Sequence, residues 1–141
     1  MREILFRGKR ADTGEWIEGY YVVLFRWTGD KNPTPAIQVA DCYSFREIIP
    51  ETVGQYTGLK DKNGKKIFEG DIIAYRKGCL AVSFDFASFG FLFEGCNGEE
   101  GYSHVIPFND YENGIYIDRK TYQIDYEIVG NVFDNPELLN Q

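Results

Sequence analysis

Apolar and polar positions alternate with a period of two through most of this chain, the pattern of half-buried β-strands. The first run, "ILFRGKR", predicts a short strand, and "ADTGE" supplies Asp12, Thr13 and Gly14 as turn residues. "WIEGYYVVLFRW" returns as a longer strand, followed by a polar loop over 28–35, "TGDKNPTP", and a further strand in "AIQVADCYSF". Ser44 and Glu47 have capping-box spacing, but Pro50 arrives too soon for a helix, so 44–50 is extended or a single turn. "PETV" makes a second short turn before "GQYTGL" resumes the strand pattern.

In "CLAVSFDFASFGFLFEGC", residues 79–96, the alternation changes phase: Phe84 and Phe86 are even, whereas Phe89, Phe91 and Phe93 are odd. On one continuous strand these two sets would face opposite ways. A hairpin turning at Ala87-Ser88 puts all of them on one face, with 84 opposite 91 and 82 opposite 93; a bulge would also reset the phase. "SHVIPF" and "GIYID" predict short strands. "YQIDYEIVGNVF" predicts a strand with Tyr122, Ile124, Tyr126 and Ile128 on its apolar face. Asn135, Pro136 and Glu137 form a helix-start signature with room for only one turn.

The stretch "YTGLKDKNGKKIFEGDII", residues 56–73, spaces Gly58, Gly64 and Gly70 at equal intervals. Asn63-Gly64 is a strong hairpin signal, and Gly70-Asp71 marks a bend into the next strand. A phosphate-binding loop would need Gly-Lys-Ser/Thr opening a helix. Here Gly64-Lys65 is followed by Lys66-Ile67 and a β-type run, so the lookalike fails on context. The same frame recurs in "FRGKRADTGEWIEGYYV", residues 6–22: Gly8 and Gly14 match Gly58 and Gly64 at a spacing of 50, and Gly19 matches Gly70 at 51. This predicts two related hairpins, each bounded by a strand glycine and a bend glycine.

Composition agrees with strands, since 16% of the 141 residues are aromatic and ten are tyrosines. The length suits one domain or two small intertwined subdomains. No apolar run approaches the roughly 20 residues of a membrane helix, and "MREILFRGKR" lacks a signal-peptide core. A cytoplasmic protein with no membrane contact is expected. Charge is uneven. Residues 1–70 hold 11 Lys/Arg against 10 Asp/Glu, whereas residues 71–141 hold 4 against 12. An acidic second half of net −8 (4 − 12) repels a phosphate backbone, which argues against nucleic acid as partner. Lys60, Lys62, Lys65 and Lys66 are the local exception and read first as a solvated hairpin tip.

Catalytic chemistry finds little support. His104 is the single histidine, without a nucleophile signature or a second ligand nearby, so neither a triad nor a transition-metal site is expected. Cys42, Cys79 and Cys96 read as small buried apolar residues. Glu69 and Asp71 share a strand face and could pair for acid–base or divalent-ion work, but a turn carboxylate is the simpler reading. Glu99, Glu100, Asp110, Glu112 and Asp118 read as solvated loop acids. The expectation is therefore a protein that is not an enzyme and carries no cofactor or metal.

"IPETVGQYTGLKDKNGKKIFEGDII", the closing "YEIVGNVFDNPELL" and the opening "REILFRGKRADTGEWIEGYYV" together resemble the YopX family of phage and prophage proteins over nearly the whole chain. The resemblance implies a mainly β fold of antiparallel sheets and hairpins with an SH3-like roll or barrel. An N-terminal β subdomain would span 1–50, and the roll carrying the glycine motif 51–141, together one compact unit. The family's biochemical role is uncharacterised, so no catalytic residue carries over. The expected function is a phage or prophage accessory protein in the host cytoplasm, binding a host or phage protein or a second copy of itself. One alternative is an anti-defence protein sequestering a nucleotide-like anion beside Trp16, Trp27 or Lys60, Lys62, Lys65 and Lys66. The other is an acidic mimic of DNA.

Overall fold

A computed structural model describes residues 4–24, 33–39, 44–75, 78–85, 90–96, 117–118 and 120–140; the side chains of 75, 85, 90–96, 117, 139 and 140 are outside the description. Trp27, Cys42, Phe86, Phe89, Glu99, Glu100, His104, Asp110, Glu112 and the strand expected in "SHVIPF" lie outside the described residues. The fold is mainly β and its sheets are built largely of antiparallel pairs. The chain divides into two compact units, Met1–Tyr56 and Thr57–Gln141.

In the first unit β1 (Phe6–Lys9) and β2 (Trp16–Leu24) form a hairpin with Phe6 opposite Gly19 and Lys9 opposite Trp16. The second half of β2 leaves β1 and pairs with β3 (Thr34–Gln38), which pairs in turn with β4 (Phe45–Glu47). Pro35, expected in the loop, sits inside β3 opposite Val23, and its carbonyl accepts Ile48 N–H at 3.2 Å. The strand path then curls back to its start. Arg10 bridges Ile48, Ile49 N–H donates to the Lys9 carbonyl at 2.8 Å, and Ala11 N–H donates to the Glu47 carbonyl at 2.9 Å.

In this unit Leu5, Ala36, Ile37, Ile48 and Tyr56 are buried. Each large aliphatic among them contributes about 1.5–3 kcal/mol by leaving water. Gly19 is required by close approach: a Cβ there would run into the Gln38 carbonyl and the Ile37 side chain. A single 3₁₀ turn, Pro50–Thr52, follows β4 as "PETV" predicts, and Thr52 is buried because its hydroxyl donates to the Ile49 carbonyl and accepts Lys9 N–H.

β5 (Gly54–Lys60) crosses the boundary between units. Its start pairs with β1, Gln55 opposite Phe6, and its end runs parallel to β11 (Gln123–Ile124), itself paired with β10 (Ile117–Asp118). Tyr56 and Leu59 are both buried although three apart, because Gly58 adopts φ of 89° and resets the alternation. β6 (Lys66–Phe68) folds back on β5. A four-stranded sheet follows in the order β12 (Ile128–Asn131), β7 (Asp71–Tyr75), β8 (Gly78–Asp85), β9 (Gly90–Cys96).

The β8–β9 register is the one expected from the phase change, with Phe84 opposite Phe91 and Val82 opposite Phe93. Leu80 and Val82 lie in the core of the second unit with Leu59, Ile67, Ile73 and Ile124, and Phe84, Tyr126 and Ile128 pack against it half-buried.

Two expectations change here. The strand expected over "YQIDYEIVGNVF" is broken between β11 and β12 by a bend. Tyr122, expected on its apolar face, has φ of 56° and is exposed, because its carbonyl turns to accept Lys60 N–H at 2.9 Å. Cys79, expected as a free buried thiol, is buried but disulfide-bonded. Where a single helical turn was expected after Asn135, the structure has a 3₁₀ turn, Pro136–Asn140.

Candidate functional site

The second half of β2 reads Tyr20-Tyr21-Val22-Val23-Leu24, apolar at every position. Successive side chains point to opposite faces of a strand, so such a run needs cover on both sides. In the first unit Tyr20 is 53% exposed, Val23 43% and Tyr21 39%, the last with its ring tilted against that of Phe6 at a centroid distance of 5.8 Å. On β4 Phe45 is likewise exposed and lines an open cleft with Ala11, Asp12, Arg46 and Glu47. Of these, Asp12 is held in a bidentate pair, in which Arg10 Nε and Nη2 donate to its carboxylate at 2.9 and 2.7 Å. That hydrogen bond holds the Asp12 carboxyl below its ordinary range and pushes the Arg10 guanidinium up.

The residues singled out from sequence occupy different places. Trp16 is half-buried in the first unit, and its ring carries the Arg7 guanidinium at 4.6 Å and Lys9 Nζ at 5.4 Å. Cations already occupy the ring where a ligand base would stack. Trp27 is outside the described residues. Lys60, Lys62, Lys65 and Lys66 belong to the second unit. Lys60 and Lys66 are half-buried on strands, whereas Lys62 and Lys65 are exposed on the hairpin loop. Lys62 lines a shallow cleft with Asp118 and Asp125. Carboxylates beside that ammonium oppose a bound phosphate.

Two carboxylates of the glycine motif, Asp61 and Asp71, accept backbone N–H groups. Asp61, fully buried, accepts Asn63 N–H and Lys65 N–H on Oδ1 at 2.9 Å each, and Ile128 N–H on Oδ2 at 3.1 Å. Asp71, 2% exposed, accepts Phe68 N–H on Oδ2 at 2.8 Å across the turn at Gly70. Asp71 is therefore the turn carboxylate that the sequence suggested. Sequence reasoning missed Asp61, although Asp two residues before Asn-Gly is a legible signal for a side-chain-locked turn. Among the described residues no three His, Cys, Asp or Glu side chains group together, and no helix is long and apolar enough to cross a membrane.

Comparison with known proteins bears on fold and family. The family model described as YopX protein matches residues 5–140. Among solved structures, the crystal structure of protein EF1440 from Enterococcus faecalis aligns over 99% of this chain and 100% of its own, with TM-score 0.52 and 21% identity. That likeness shows a shared fold. No curated protein matches the chain.

Proposed function

The chain belongs to the YopX family, and from that premise we propose that it is a phage or prophage accessory protein acting in the host cytoplasm as a non-enzymatic binding module for a protein partner. The observation that carries this reading is the exposed apolar set on β2 and β4: Tyr20, Tyr21, Val23 and Phe45. Tyrosine and phenylalanine beside an arginine are the residues that protein interfaces favour, since they bury large area at small cost in side-chain entropy. The buried carboxylates Asp61 and Asp71 of the most distinctive motif accept backbone N–H groups at turns, which supports a structural use of that motif. Sequestration of a nucleotide-like anion is disfavoured by the cations over Trp16 and the acids beside Lys62.

A photo-crosslinking phenylalanine analogue placed at Tyr20 or Phe45, in cells carrying the phage, tests the proposal. Illumination should join the chain to one discrete protein at both positions, and a free copy of that protein should compete the adduct away. No adduct at either position, together with a rise in melting temperature on adding nucleotide, would overturn it.

A further inference from the structure

β8 and β9 pair in an unbroken antiparallel ladder that runs from Asp85 opposite Gly90 to Cys79 opposite Cys96. Two of the three cysteines are thus partners in the backbone register. Directly opposed residues of an antiparallel pair have Cα atoms roughly 4.5–5.5 Å apart, inside the range a disulfide spans. Cys79 is 5% exposed and disulfide-bonded, and its Sγ lies 3.6 Å from the Leu138 carbonyl oxygen in the C-terminal 3₁₀ turn. A disulfide sulfur has no hydrogen to donate there. A reduced thiol does, as a weak donor.

We propose that Cys79 and Cys96 form a reversible dithiol–disulfide couple. Closed, it staples β8 to β9; open, it frees the Cys79 thiol to donate to Leu138. With oxidised glutathione as oxidant, the two protein thiols form one S–S bond and the glutathione S–S bond breaks. Two electrons and two protons pass to the two glutathione thiols released. The closed form constrains the loop of residues 80–95 in the unfolded chain, so it raises the melting temperature, by on the order of 10 °C for a loop of this size. In a compartment poised by glutathione, such a couple reports redox state in the rigidity of the hairpin.

The test equilibrates the full chain across ratios of reduced to oxidised glutathione, traps free thiols by alkylation and maps the cysteine peptides by mass. At the oxidising end Cys42 alone should be alkylated, and the peptides of Cys79 and Cys96 should be recovered joined. At the reducing end all three should alkylate while circular dichroism still reports folded β structure. Cys42→Ser should leave the titration unchanged. Recovery of Cys79 joined to Cys42 or to a second chain, alkylation of Cys79 throughout, or opening only after unfolding would each overturn the proposal. Because the mapping uses the natural sequence, it decides even if Cys79→Ser fails to fold.

Discussion

The β1–β2 and β5–β6 hairpins begin from nearly the same sequence frame and solve their turns with opposite means. In the first, Arg10 N–H donates to the Glu15 carbonyl at 2.9 Å across a loop of residues 11–14, with Gly14 at φ of 75°. In the second, Asp61 N–H donates to the Lys65 carbonyl at 2.8 Å across residues 62–64, with Gly64 at φ of 83°. Both loops end on a left-handed glycine. The first carries the Arg10–Asp12 ion pair at its surface. The second is tied by the fully buried Asp61, whose carboxylate gathers backbone N–H groups from the loop and from Ile128. A hairpin loop becomes part of a core when its anchor is taken out of solvent, where a charge-assisted bond is worth most and is costly to leave unmade.

That contrast is broken most directly at Asp61. Asp61→Ala should lower stability by about 3 kcal/mol or more in urea unfolding, since it strands several N–H groups, one of them on β12. Asp61→Asn should fall between, because one amide oxygen cannot replace two carboxylate oxygens. An effect of Asp61→Ala within the scatter of surface substitutions would mean that water serves these donors as well, and the contrast would fail.

A smaller effect compares the glycines. Gly64→Val and Gly14→Val should each cost about 1–2 kcal/mol, and by similar amounts. Neither position has an atom within contact of an added Cβ, so only the left-handed backbone opposes the substitution. Unequal losses would locate the difference between the hairpins in backbone conformation rather than in their anchors.

The smallest effect concerns acid. The folded state holds the Asp12 carboxyl below its unfolded value through the Arg10 hydrogen bond. Its contribution is therefore complete above the ordinary carboxylate range and is lost as pH falls through the depressed folded value. Asp12→Asn should leave stability unchanged within error at neutral pH and slightly flatten the acid limb of the stability curve. A clear loss at neutral pH would show that the exposed pair anchors its hairpin after all, contrary to the usual weakness of surface pairs.

The duplicated frame itself extends no further than the turn. Gly58 and Gly70 adopt φ of 89° and 95°, whereas Gly8 and Gly19, their counterparts by spacing, are absent from the left-handed region. Gly19 lies in the paired body of β2 opposite Phe6, and Gly70 turns the chain between β6 and β7. The same letter serves close packing in one place and chain reversal in the other. Spacing alone could not separate those uses.

The local code determined the strand character of the chain. Period-two alternation placed β1, β2, β8 and β9, Asn63-Gly64 placed the hairpin tip, and the phase change among the phenylalanines set the β8–β9 register. These features follow from side-chain direction and backbone preference within a few residues, which any stretch of sequence carries with it. Asn63 shows the limit even there: among the described residues Tyr122 is the one non-glycine with positive φ, so the turn is a three-residue loop ending on Gly64 rather than a two-residue one. The tertiary structure decided what depends on distant partners: the curl that brings Arg10 to Ile48, the kink at Tyr122 and the burial of Asp61 beneath Ile128 N–H. It also decided which apolar side chains of this stretch of β2 stay in water, Tyr20 on one face and Tyr21 and Val23 on the other, because alternation says that two faces exist, and only the packed neighbours say what is covered.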